Sequence, residues 1–533
     1  MADQAILANL IEARAHGGSD FDVLTFVHVD ESKELAAETR SYRDLCDNGQ
    51  RLAAGLLQQG MSRGDRFALV MQNHPEFVDT MVASSVCGTV FVPIDPRSRG
   101  EKLAYMLGFA ECRGAVVADY ALAQVLAVLP QLAAIEWLWV LATGALAELP
   151  DSPVPLRWIA DLPHPSAPVP VVVEDPGEPM QMLFTSGTTG DPKAIVASYT
   201  RFDNVSSIGP LLGLQATDCL YTGLSLTHAN AQLITMGNAL KMGLPCIISR
   251  KFTKSRLWDI CRHYGCTFFN LLGGMTTAIY SEPERPDDGD NPVRMVLSAG
   301  MPAAIWEDFA RRFGVEIFEF YGAAEGGMTF NPPGDGPVGS IGKPPPTQEA
   351  LVVDENDQPC PPGVQGEIVF RNADGSCPIV EYFKNPEASR KKTQGGWLRM
   401  GDVGHTDEDG WFYFDYRMGG GIRRNGDFVN VGFVEKVVAQ HPQVNDVFVY
   451  GVDIKSGAPG EKDVVAAVVP ANGGLLDTQD LFRHCRDHLE SNFVPSYIQV
   501  LDEIPKTASE KPQERFCLEL FRDHPEAVMT QHD

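Results

Sequence analysis

The stretch that most constrains this chain is LFTSGTTGDPKA, from Leu183 to Ala194. Ser186, Gly187, Thr188, Thr189 and Gly190 stand ahead of Pro192 and Lys193, a run that suits neither a helix interior nor a strand interior. Two glycines allow a tight backbone path, small hydroxyls add donors, and Lys193 brings a mobile positive charge, so the segment can wrap a polyphosphate. The same residue types also make solvated surface turns, and composition alone leaves the two readings level. The spacing differs from G-x-x-x-x-G-K-[ST], which separates this loop from the common nucleotide-hydrolase loop.

On both sides of the loop the chain alternates helix patterns with short apolar strands. YRDLCDNGQRLAAGLLQQ predicts a helix from Tyr42 to Gln59, RFALVMQ a buried strand, and HPEFVDTMVASSVCGTVFVPIDP a second helix and a strand ending near Pro93. EKLAYMLGFAECRGAVVAD repeats the pattern. After the loop, TKSRLWDICRHYGCTFFNLLGG, VRMVLSAG and AIWEDFARRFGVEIFEFYGAAEGG give three more alternations. This is the order of an open α/β sheet with helices on both faces. Ligands of such sheets sit beyond the carboxyl ends of the strands, so Gly273 and Gly274, Ala299 and Gly300, and Tyr321 to Glu325, Gly322 among them, are expected to face one crevice with the loop. Glu325 is suited to hold Mg²⁺ bridging phosphate oxygens, with an acid at a helix N-terminus as the lesser reading. The Pro-rich stretch from Ala147 to Pro179 is expected to wrap the domain rather than link two.

Size and charge narrow the function. With 533 residues, 44% of them apolar, the chain can bury a large core and form more than one domain. A formal charge of −27 with scattered Lys and Arg argues against a nucleic-acid partner. Eleven cysteines show no paired metal spacing, and Cys261-Arg-His263-Tyr-Gly-Cys266 is expected to hold small buried thiols. No apolar run is long enough for a membrane span, and the first residues lack the charge pattern of a signal peptide, so the cytoplasm is the expected compartment.

Farther on, PPGVQGEIVFRNADGSCPIVEYF and DGWFYFDYRMGGG predict short antiparallel strands. GWLRMGDVGHTDEDGWFYF places Asp402 between Gly401 and Val403, where a short carboxylate can accept two sugar hydroxyls. Gly419, Gly420 and Gly421 predict a hinge. VGFVEKVVAQHP, VNDVFVYGV, VVAAVVP and LDTQDLFRHCRDHLESNF predict a smaller α/β domain, closed by IPKTASEKPQERFC with Lys506 and Lys511 on a loop.

LFTSGTTGDPKA, EFYGAAEGG, WLRMGDVG, YRMGGGIRRNG and IPKTASEKPQ resemble, in order and spacing, the signatures of the adenylate-forming superfamily of acyl-CoA synthetases, adenylation domains and luciferases. EFYG-x-x-EGG is most similar to the version found in ligases of the carnitine/crotonobetaine and fatty-acid-transport types. The resemblance implies an N-terminal ATP- and acyl-binding domain over 1–417 and a mobile α+β C-terminal domain over 418–533 that rotates between two half-reactions. It implies ATP, Mg²⁺, coenzyme A and a carboxylic acid as the small molecules handled, and it leaves a homodimer open. Thr185, Ser186, Thr188, Thr189 and Lys193 would form the phosphate loop with Gly187 and Gly190, Glu325 would ligate Mg²⁺, and Asp402 and Arg417 would hold the ribose. Tyr321 would stack near adenine, Lys511 would reach the carboxylate and α-phosphate, and Gly426 would line the coenzyme A passage. His228 would sit on the acyl side, where Asn230, Gly273, Gly274, Met275 and Met301 suggest a roomy apolar slot.

Three positions depart from the family pattern. Ala324 stands where a hydroxyl would touch the AMP phosphate, Tyr416 where an aspartate would precede Arg417, and Gly420 where the hinge carries an aspartate or lysine. One hydrogen bond to a charged phosphate is worth about 1.5–3 kcal/mol, so losing it would slow adenylation roughly ten- to a hundredfold. Two alternatives to a full acid–CoA ligase therefore stand beside it: an enzyme of the second half-reaction only, and a free-standing enzyme loading a carrier protein.

Overall fold

Pro75–Cys87 is a helix without a polar face, every residue from Phe77 onward being buried. A helix lying on one face of an open sheet would expose a stripe, so this one must be covered on all sides. The computed structural model, which describes all residues except 1, 19–20, 30–33, 186–191, 281, 418–421, 426, 430, 454–460, 472–475, 506–511, 513 and 532–533, shows how. The largest core cluster joins Phe77, Met81 and Val86 to Phe67 and Trp137 of one sheet and to Leu24, Leu220 and Phe268 of another. The single sheet expected from the alternation is thus two sheets sharing buried helices.

One sheet has seven strands in the order Leu156–Trp158, Trp137–Leu141, Cys112–Ala118, Arg66–Val70, Val90–Ile94, Pro179–Thr185 and Lys193–Ser198. Its strands are parallel until the last, which turns back antiparallel on its predecessor. The other has eight, in the order Gly326–Asn331, Glu316–Ala323, Met295–Ala299, Phe268–Leu272, Leu220–Thr222, Cys246–Ser249, Asp22–Val29 and Leu35–Ser41, with an antiparallel pair at each end. The stretch from Ala147 to Pro179 wraps as expected: Gln50 bonds the Val169 backbone in both directions, and the Val172 N–H donates to the Val86 carbonyl.

A third sheet of four antiparallel strands, Gln348–Val353, Gly366–Asn372, Leu398–Thr406 and Phe412–Arg417, follows the eight-stranded one. The smaller C-terminal α+β domain has its own core around Val434, Val464, Phe482 and Ile498. Its sheet runs Val444–Asp453, Lys462–Pro470, Tyr497–Val500 and Val528–Thr530. Glu490 of this domain accepts from the Ser98 hydroxyl at 2.8 Å and the Lys102 ammonium at 2.7 Å, seating it against the larger one. The glycines expected to act as a hinge, 418–421, lie outside the described residues. Among the described residues no helix is long and apolar enough to cross a membrane.

Ser41 caps the helix Tyr42–Gln58 through a reciprocal pair of bonds with Asp44, which fixes where the helix starts. Gly49 then lets it approach Pro75–Cys87: a Cβ added there would lie 2.5 Å from Val82 Cγ1. Valine is stiff about χ1 and cannot yield cheaply. Gly49→Ala is therefore expected to destabilise the protein by about 1–3 kcal/mol despite alanine's higher helix propensity. Urea unfolding measures it, with Gly49→Ala/Val82→Ala recovering part of the loss; a stabilised Gly49→Ala would contradict this packing.

Candidate active site

The strands on either side of the expected phosphate loop pair antiparallel with each other. Thr185 ends one strand and faces Lys193, which begins the next, so the pairing pins both ends of the connection at the edge of the seven-stranded sheet. Ser186, Gly187, Thr188, Thr189 and Gly190 lie outside the described residues. Lys193 is described, and its ammonium stands 5.4 Å from the centre of the Tyr382 ring. A cation over an aromatic face is held by the ring quadrupole.

Tyr382 also reaches the second signature. Glu316–Ala323 and Gly326–Asn331 form a hairpin whose turn carries Ala324 and Glu325. The Tyr382 hydroxyl donates to Glu325 Oε1 at 2.6 Å, and Lys392 Nζ lies 3.9 Å from the same oxygen while donating to the Met400 carbonyl at 3.3 Å. From behind, the Arg201 guanidinium donates to the carbonyls of Glu325 at 3.2 Å and Ala323 at 3.4 Å. Burial pulls Arg201 below the usual guanidinium range, and the charge of Glu325 offsets only part of that. One carboxylate is a fitting donor set for a Mg²⁺ that arrives with its nucleotide, because Mg²⁺ takes one or two carboxylates and completes its shell with phosphates and water. Among the described residues no group of three acidic, His or Cys side chains forms a closed metal cage.

Asp402 is buried at 4% exposure and accepts from the Tyr321 hydroxyl. It sits directly across the strand pair from Arg417, whose side chain is outside the description. The two residues expected to hold the ribose are therefore brought opposite each other by sheet register. The Tyr321 ring stacks on Phe370 at 6.4 Å and tilts against Phe414 at 6.5 Å. Gly426 and Lys511 lie outside the described residues.

The residues expected on the acyl side fall in several elements. Asn230 opens a π-helical segment, Asn230–Gly237, a geometry concentrated at functional sites. Its side-chain oxygen accepts from Asn270, a strand residue 1% exposed. His228, two residues earlier, is exposed. Met275 and Met301 are buried, and Gly273 and Gly274 begin the helix Gly273–Tyr280. Cys261 and Cys266 are buried thiols, as expected.

Ala299 ends its strand and Gly300 turns the chain with φ +100°, a conformation glycine alone adopts easily. The N–H groups of Gly300 and Met301 donate to Glu319 at 2.5 and 3.1 Å. Tyr382, Lys392, Arg201, Asn270 and Glu319 were not singled out from sequence. Nothing local marks the first three: Tyr382 is paired with Ile195 by an isolated bridge, and Arg201 bonds Glu325 across 124 positions.

Burial raises the Glu319 carboxyl to about 8, outweighing the two backbone donors and the charge of Arg423 from the smaller domain. A carboxyl raised on folding stays protonated in the native state after the unfolded chain has ionised. Its contribution is full below the unfolded value and is lost as pH rises from about 4.5 to about 8. Glu319→Gln, which keeps the neutral shape, is expected to flatten that decline by an amount on the order of a few kcal/mol at pH 8. Chemical denaturation across this range tests it; parallel slopes for the two proteins would contradict it.

Residues 12–376 match the AMP-binding enzyme family and residues 434–511 the AMP-binding enzyme C-terminal domain. The chain is 31% identical over 486 residues to the medium/long-chain-fatty-acid–CoA ligase FadD17 of Mycobacterium tuberculosis, covering 88% of this chain and 90% of that one. To the crotonobetaine/carnitine–CoA ligase of Salmonella heidelberg it is 28% identical over 496 residues, covering 90% and 93%. The solved structure of the amide bond synthetase McbA from Marinactinospora thermotolerans shares the fold, with a TM-score of 0.80 at 23% identity over 96% of this chain and 99% of that one. With both family regions matched in order along the chain, it belongs to the AMP-binding enzymes, as an adenylate-forming, AMP-producing ligase.

Proposed function

We propose that this ligase joins a carboxylic acid to coenzyme A, and that the acid is a medium or long aliphatic, or bulky alicyclic, carboxylate. The named activities of FadD17 and of the crotonobetaine/carnitine–CoA ligase support coenzyme A as the acceptor, and that of FadD17 supports a medium or long aliphatic acid. The observation that carries the chemistry is that Lys193 and Glu325 both meet Tyr382, one over its ring and the other at its hydroxyl. A carboxylate oxygen attacks the α-phosphorus of ATP, the bond to pyrophosphate breaks, and an acyl-adenylate forms. The coenzyme A sulfur then attacks the acyl carbon and AMP leaves.

In this proposal Thr185 to Lys193 hold the phosphates, Asp402 and Arg417 orient the ribose, and Glu325 would hold a Mg²⁺ that shields phosphate charge. The carboxylate is already a nucleophile, so the first step needs cations on the developing charge more than a protein base. Lys511 supplies one, swung in by a C-terminal domain that turns about residues 418–421. Glu490, bonded to Ser98 and Lys102, marks one seat of that domain. His228, Asn230, Gly273, Gly274 and Met301 face the acyl group, with Ala299, Gly300, Tyr321 and Gly322 toward the nucleotide and Gly426 on the coenzyme A passage. Ala324 keeps a second reading in view: a protein specialised for the thioester step, fed with an acyl-adenylate.

A carboxylate panel with ATP and coenzyme A, read by mass spectrometry, is expected to yield AMP, pyrophosphate and acyl-CoA; ADP and phosphate without AMP would overturn the proposal. Efficient conversion of a supplied acyl-adenylate, with no adenylation from ATP, would favour the second reading. Lys511→Ala is expected to slow adenylation about a hundred- to a thousandfold while sparing the supplied-adenylate step. Equal losses in both steps would remove Lys511 from its assigned role.

A further inference from the structure

Lys102 stands in the first turn of the helix Gly100–Phe109, the end where the helix dipole opposes a cation. A lysine placed there with a side chain only 15% exposed needs an anion beside it, and the smaller domain provides one. The Lys102 ammonium donates to Glu490 at 2.7 Å, and the same carboxylate oxygen accepts from the buried Ser98 hydroxyl at 2.8 Å. Two donors flanking the start of one helix thus converge on a carboxylate that the dipole itself favours. The ammonium also stands 4.3 Å from the centre of the Phe493 ring, and Phe493 belongs to the core of the smaller domain. A cation over an aromatic face adds to its grip on that domain.

The gripped segment is a tight turn, in which the N–H groups of Phe493 and Val494 donate to the Glu490 carbonyl at 2.8 and 3.2 Å. Two bonds tie this turn to the paired strands Ile422–Arg424 and Asp427–Val429. The Arg424 guanidinium donates to the Val494 carbonyl at 2.6 Å, and the Asn425 amide donates to the Asn492 side-chain oxygen at 3.2 Å. Gly426, assigned above to the coenzyme A passage, lies in sequence between those two strands. On the first of them Arg423 acts by charge on Glu319, which lies on the strand Glu316–Ala323 leading into the Glu325 turn. A continuous chain of contacts therefore runs from Lys102 through Glu490 and Phe493 to the hairpin that approaches the site.

A polar grip suits a domain that has to leave. Desolvation offsets much of the attraction within a sheltered ion pair, and water takes up both charges when the two surfaces part. We propose that Lys102 is a positioning residue for the coenzyme A half-reaction: through Glu490 and Phe493 it holds the smaller domain in the seat that serves thioester formation. The proposal rests on the ligase reading given above. Lys102 acts through the smaller domain rather than on the reacting atoms, and adenylation, served by the other seat, proceeds with the grip released.

The test compares two half-reactions: ATP–pyrophosphate exchange with dodecanoate, and dodecanoyl-CoA formation from supplied dodecanoyl-adenylate and coenzyme A. Lys102→Met is expected to slow the second about ten- to a hundredfold, as occupancy of the seat falls, and to leave the first within about twofold. Glu490→Gln removes the charge from the other side and is expected to show the same selective loss, should the methionine variant fold poorly. Lys102→Arg keeps the cation and is expected to stay within about threefold of the parent in both steps. Equal loss of both steps in Lys102→Met and Glu490→Gln would mean that the contact only stabilises the fold. Unchanged thioester formation in both would mean that the seat is set elsewhere. Either result overturns the proposal and leaves the ligase standing; a parent protein that performs neither half-reaction would overturn both.

Discussion

A 2.6 Å hydrogen bond from the Tyr382 hydroxyl to Glu325 joins two parts of the chain that have no covalent reason to meet. Tyr382 enters through a bridge to Ile195, on the strand that begins at Lys193, so the bond also fixes the phosphate-loop hairpin relative to the Glu325 turn. A carboxylate only 10% exposed must be paired or solvated, and here it accepts from the hydroxyl of the same tyrosine whose ring lies beside Lys193. Arg201 and Lys392 then act on a turn already held. Tyr321, on the strand that leads into the Glu325 turn, repeats the device by donating its hydroxyl to Asp402 of another sheet.

This economy explains what sequence made legible. The helix Tyr42–Gln58 and the Val-rich strands announce themselves because burial on one face or both writes a period into the chain. Glu325, Tyr321 and Asp402 lie in short stretches whose glycines and small residues mark tight turns beside a ligand. The division into two sheets was not legible, because helices buried between sheets and helices lying on one sheet share the same alternation with strands. The pair Asp22–Val29 and Leu35–Ser41 also escaped, since no residue of its second strand is buried and Ala37, Glu38 and Thr39 are exposed.

Tyr382, Lys392 and Asn270 were silent for a different reason. Each acts through a partner far away in the chain, Tyr382 across 57 positions and Asn270 across 40, and no local pattern encodes such an approach. Their effect is on balance of charge and polarity. Lys392 brings an ammonium within 3.9 Å of the Glu325 carboxylate, and Asn270 holds the side-chain amide of Asn230.

The central claim is that a carboxylate oxygen displaces pyrophosphate at the α-phosphorus of ATP. Supplying the acid with both carboxylate oxygens as ¹⁸O, together with ATP and coenzyme A, and weighing the AMP formed tests it directly. One ¹⁸O in AMP, with none in pyrophosphate, is the predicted result, since the oxygen that attacks phosphorus leaves with AMP when the thioester forms. AMP without label, or label in inorganic phosphate beside ADP, would contradict it.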